Sequence, residues 1–205
     1  NTTGVQLTSN NHLLNGNNYR TPDYSKASGL HMIDFYMHHK FGSAGSAYSV
    51  ASEEDRYFND ATYNVTYVDS HDYGPNEGGY LYRRFSGGTQ AWASNLNLMF
   101  TFRGIPCVYY GSEIEFQKDM QIEPYTNGNK VPYAQSGRAY FGDHIEGTVE
   151  ASDYGKYTAS GKVKETLDYP LAQHIISLNK IRRAVPALQK GQYSTEGCNG
   201  NIAFK

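Results

Sequence analysis

Between Asn64 and Gly111 the chain reads strand, helix, strand. Val65-Thr66-Tyr67-Val68 is a short β-branched and aromatic run, bounded by Asn64 and by the turn-rich Gly74-Pro75-Asn76-Glu77-Gly78-Gly79, and it predicts a strand. From Thr89 to Arg103 the apolar residues Trp92, Leu96, Met99 and Phe100 fall at i, i+4, i+7 and i+8, which puts them on one helical face. Gly104 supplies the stop. Ile105 to Tyr110 is then a near-continuous apolar run of strand length. Such runs suit strands buried on both faces of a parallel sheet.

The flanking segments extend the alternation. Leu30 to Phe35, interrupted by His31 and Asp34, reads as a strand leading into the mixed segment Tyr36 to Phe41, and Ala47 to Phe58 has helix-compatible composition with a weak amphipathic face. Leu171, Ile175, Leu178 and Arg182 mark one face of a helix that ends before Pro186. Gly111 to Tyr169 is rich in Gly, Tyr, Ser and Asp without a long periodic segment, so it reads as a long functional loop. Asn1 to Ser28 reads as an extended loop system, and Gln192 to Lys205 as short strands opening a second domain. The order is that of an α/β fold with a parallel sheet, whose chemistry belongs on loops at the C-terminal ends of strands.

Charge narrows the partners. The 18 basic residues nearly balance the 20 acidic ones without clustering, which argues against nucleic acid. No apolar run approaches the roughly 20 residues of a membrane helix, so no membrane span is expected, and the polar start lacks the regions of a signal peptide. The two cysteines, Cys107 and Cys198, have no nearby His or Cys at metal-ligand spacing and read as free thiols, with no metal site implied. Nineteen tyrosines fit sugar stacking as well as an ordinary aromatic core.

At the two strand exits stand the candidate groups. Asp69-Ser70-His71-Asp72 follows Val68, and Tyr109-Tyr110-Gly111-Ser112-Glu113 closes the second run. Taken generically, an Asp beside a His can simply cap a turn. The pair of motifs, however, resembles glycoside hydrolase family 13, the α-amylase family, through YVDSHD at Tyr67 to Asp72 and GIPCVYYGSE at Gly104 to Glu113, in family order and at about family spacing. Ser28 to Phe35 looks like that family's sixth barrel strand, and Pro170 to Gly191 like its final barrel helix.

The resemblance implies that residues 1–190 are the C-terminal half of a (β/α)8 TIM barrel and that residues 191–205 begin a C-terminal antiparallel β-sandwich domain. It implies a retaining enzyme that hydrolyses α-1,4-glucosidic bonds in starch-type glucans, with Asp72 as the third carboxylate and His71 as the imidazole that binds sugar hydroxyls. Arg138 falls where some relatives carry a sugar-binding arginine, although its neighbours match poorly. Asp69 reads as a loop support and Glu113 as structural. Trp92 reads as core, and the formal glycosylation acceptor Asn64-Val65-Thr66 is discounted because it falls in an expected buried strand. The family's nucleophile Asp, in a G-x-R-x-D context, and its proton donor Glu have no counterpart here. The chain alone is therefore expected to hold an incomplete active site, completed by the other half of the catalytic domain. Calcium in this family is bound mainly by those upstream parts. A polymeric substrate implies a secreted or cell-surface location. The alternatives are a cyclodextrin-forming or other α-glucan transglycosylase and an inactive amylase-like binding protein.

Overall fold

The computed structural model describes residues 31–54, 61–71, 88–116, 125–126, 129–130, 145–153 and 156–191. The segments read as an N-terminal loop system and as the start of a second domain, Asn1–Ser28 and Gln192–Lys205, lie outside them.

The strand–helix–strand reading holds. Strand β1 (Val65–Tyr67) pairs in parallel with β2 (Ile105–Cys107), in the register Val65–Ile105, Thr66–Pro106, Tyr67–Cys107. The crossover contains helix α3 (Thr89–Thr101); helices α1 (Phe35–His38) and α2 (Ala44–Glu54) precede β1. On the other edge of β1, Ile33 bridges Val65, also in parallel, so three parallel segments lie side by side in chain order with helices between them. Gly104 ends the turn out of α3 with φ +107°, and a Cβ there would come within 2.7 Å of Thr66 Cγ2 and 2.9 Å of the Asn64 carbonyl. That close approach of backbone to the neighbouring strand requires glycine.

Helix α4 (Gly161–Asp168) leads into α5 (Pro170–Ala184), which packs on α3, and the short α6 (Pro186–Lys190) follows. The core lies between the helices and the sheet: Met37, Phe41, Val68, Trp92, Leu96, Met99, Phe100, Phe102, Leu171, Ile175 and Leu178 form one buried cluster. Trp92 is fully buried, as its place on the helical face suggested. Arg182 on α5 donates to the carbonyls of Phe100 (2.8 Å) and Gly104 (3.0 Å), so a guanidinium satisfies acceptors at the C-terminal end of α3.

Several expectations need correction. The strand foreseen over Leu30–Phe35 contributes only the Ile33 bridge among the described residues, because Asp34 turns the chain into α1, its carboxylate accepting from the Met37 amide at 2.9 Å. The helix foreseen from Ala47 starts at Ala44, where Ser43 Oγ accepts from the Ser46 amide at 3.0 Å; residues 55–60 lie outside the description. β2 is not buried on both faces: Ile105 is 40% exposed, since no described element covers that side. The stretch read as one long loop holds β3 (Tyr125–Thr126) and β4 (Asn129–Lys130), the antiparallel hairpin β5 (Val149–Asp153)–β6 (Lys156–Ala159), and α4. Helix α4 carries the ion pairs Lys162–Glu165 and Lys164–Asp168 among its exposed residues, while Val163 and Leu167, at i and i+4, lie half-buried.

No helix among the described residues is long and apolar enough to cross a membrane.

Candidate active site

The parallel register brings the two motif exits together. Just beyond β1, Asp69 is buried; its Oδ1 accepts from the Ser70 amide at 3.0 Å and its Oδ2 accepts from Ser112 Oγ at 3.3 Å, just beyond β2. The carboxylate thus ties one exit loop to the other, the supporting role foreseen for it. His71 comes two residues after Asp69 and is exposed at this C-terminal end of the strands. Asp72 and Arg138 lie outside the described residues, so of the three site residues named from sequence the structure describes His71. Glu113 lies half-buried in the single helical turn Ser112–Ile114.

The loop after β2 has a second anchor that the sequence did not single out. Glu115 Oε1 accepts from Thr89 Oγ1 (2.7 Å), at the start of α3, and Oε2 from the Tyr169 hydroxyl (3.0 Å), at the start of α5. Burial, and then the Glu115 carboxylate, hold the Tyr169 phenol above its ordinary pKa, so at neutral pH it remains the donor.

Below the exits, His38 of α1 is fully buried; its ring stacks on Tyr67 at 4.2 Å, and Nδ1 lies 3.2 Å from the Tyr67 carbonyl. A carbonyl can only accept, so Nδ1 carries the proton. Burial, reinforced by neighbouring His39 and opposed by the Tyr67 carbonyl, pushes the His38 pKa down from 6.5 to about 4. Between those values the unfolded chain binds a proton that the native state refuses. Stability should therefore rise with pH across that window, be fully present above about 6.5, and be lost as pH falls towards 4, by up to about 3 kcal/mol. Denaturant titrations from pH 4 to 7 should show this slope, and His38→Phe should flatten it; an unchanged slope in that variant would assign the pH dependence elsewhere.

Where β1 and β2 begin lies a polar cluster that also takes in Asp34, the residue after the Ile33 bridge. Arg103 Nη1 meets Asp34 Oδ2 at 2.8 Å with both side chains almost wholly buried, and Asn64 Nδ2 donates to the same oxygen at 3.1 Å. Asn64 is fully buried, in line with the discounting of its glycosylation signal. Burial raises the Asp34 carboxyl, but Arg103, the Met37 amide and Asn64 together outweigh it and leave the pKa below its ordinary value. In parallel α/β folds chemistry gathers at the C-terminal strand ends, so this cluster reads as a stabilising one.

Among the described residues no group of His, Cys, Asp and Glu is arranged to hold a metal ion, and Cys107 is an exposed free thiol. No protein-family model matches the chain, and no curated protein matches it.

Proposed function

We propose that this chain forms the C-terminal half of the (β/α)8 barrel of a retaining glycoside hydrolase acting on α-1,4-glucans. In this reading Asp72 is the carboxylate that stabilises the transition state, His71 binds hydroxyls of the sugar at the cleavage point, and Arg138 adds a sugar contact. The nucleophile and the proton donor come from the other half of the barrel. One observation carries the reading: the exits of two neighbouring parallel strands, each bearing one of the paired motifs, are joined through Asp69 and Ser112, with His71 exposed beside them.

The chemistry follows from charge. Glycosidic cleavage passes through an oxocarbenium-like state in which the ring flattens and gains positive charge. A carboxylate fixed near the sugar hydroxyls favours that state over the ground state, and an imidazole donor to the same hydroxyls gains strength as the ring flattens. A polymeric glucan places the enzyme outside the cell or at its surface.

His71→Ala, in the protein with its complete barrel, should lower turnover on starch about a hundredfold while the Michaelis constant changes little, the signature of a donor that acts in the transition state. Steady-state kinetics on a soluble malto-oligosaccharide reads both constants. A rise in the Michaelis constant alone would show uniform binding and remove His71 from the role assigned to it.

A further inference from the structure

We infer that Glu115 is a positioning residue for the candidate active site, holding the loop after β2 so that Ser112 fixes Asp69 and, through it, the backbone from which His71 issues. The inference rests on the functional reading above for its kinetic consequence, but its structural consequence stands alone.

The loop is a closed unit. Gly111 has φ +82°, and a Cβ there would lie 2.7 Å from Phe116 Cβ, so the turn folds tightly onto itself. Within it, the Ser112 amide donates to the Tyr109 carbonyl (3.1 Å), and the amides of Ile114 and Phe116 donate to the Gly111 carbonyl (3.2 and 2.8 Å). A unit bonded in this way moves as one body, and what fixes its far end also fixes Ser112. At that far end Glu115 takes φ +54°, a left-handed conformation unfavourable for a residue with a Cβ, and it is the one such non-glycine residue among those described. The conformation aims its carboxylate at two hydroxyls on different helices, Thr89 and Tyr169, which lie 26 and 54 residues away in the chain. Two charge-assisted hydrogen bonds then offset the backbone cost. The loop is pinned to α3 and α5 on one side and to Asp69 on the other. Asp69 receives the Ser70 amide, and His71 is the next residue. Displacing the Glu115 end displaces Ser112, and the β1 exit loses its fixed point.

The test uses the complete protein. Glu115→Gly removes both ties yet accepts φ +54° without strain, so it reads the side chain and not the backbone. Glu115→Gln keeps one acceptor oxygen and should restore part of what Gly loses. Expected for Glu115→Gly is a fall in kcat of roughly tenfold to a hundredfold on malto-oligosaccharide with KM little changed, the loss that a small misplacement of reacting groups produces. The His71 ring carbon–proton resonance should also shift, with partial return in Glu115→Gln. Should Glu115→Gly fail to fold, Tyr169→Phe removes one tie without touching the loop and should move the same resonance in the same direction. An unchanged His71 resonance in folded variants overturns the inference, whether or not the protein cleaves glucan. Absence of glucan cleavage by the unsubstituted protein overturns the functional reading instead and leaves the resonance to decide the role of Glu115.

Discussion

Arg103→Met should lower folding stability by about 3–5 kcal/mol at neutral pH. The guanidinium is the counter-charge of a carboxylate that is itself almost fully buried, 2.8 Å away. Methionine fills much of the same space but leaves Asp34 charged in a low-dielectric site, where, among the described residues, the Met37 amide and the Asn64 side chain remain to solvate it. The pH dependence should change with it. With Arg103 in place the Asp34 pKa lies below its ordinary value, so the ion pair's contribution is present above about 3.8 and lost as pH falls through the folded value. Without Arg103 two of the influences that lower the Asp34 pKa are lost and it should rise, so the variant recovers stability relative to wild type as acid neutralises Asp34. Adding Asp34→Asn should restore part of the loss at pH 7 by removing the stranded charge. Urea titrations at pH 4 and 7 would measure both effects; a loss under 1 kcal/mol at pH 7 would mean that Asp34 finds other compensation.

What the sequence disclosed depends on the range of the interactions involved. Helices α3 and α5 were legible because each buries a stripe at helical spacing, Trp92–Leu96–Met99–Phe100 in one and Leu171–Ile175–Leu178 in the other, and such a pattern is local. β1 and the stop at Gly104 were legible for the same reason. The helix α4 was missed because its apolar face is only the pair Val163 and Leu167 on two turns of otherwise charged residues, and the hairpin β5–β6 because its short, mostly polar strands carry few apolar residues. Leu30–Phe35 was read as a strand from its apolar content, but the capping carboxylate of Asp34 decides the geometry there. In the candidate site the HD pair stood out by its chemistry at a strand exit. Glu115 did not, because its value lies in two partners far away in the chain, and nothing in a single sequence joins Glu115 to Thr89 and Tyr169. His38 was hidden likewise: only folding places its ring on Tyr67.

On the proposed reading, the larger kinetic effect is expected at Asp72. Asp72→Asn keeps the size and the hydrogen-bonding reach of the side chain and deletes its charge, so the variant isolates the electrostatic contribution. A preorganised charge aimed at developing positive charge is worth ~3–4 kcal/mol, which is about two to three orders of magnitude in turnover. On that reading ground-state binding rests on the hydroxyl contacts, so glucan affinity should survive. Initial rates of malto-oligosaccharide cleavage by the complete protein and by its Asp72→Asn variant, with binding of the same oligosaccharide measured alongside, put the functional reading to its most direct test. The account predicts turnover lowered at least about a hundredfold with affinity retained; near-equal turnover in the two proteins would contradict it.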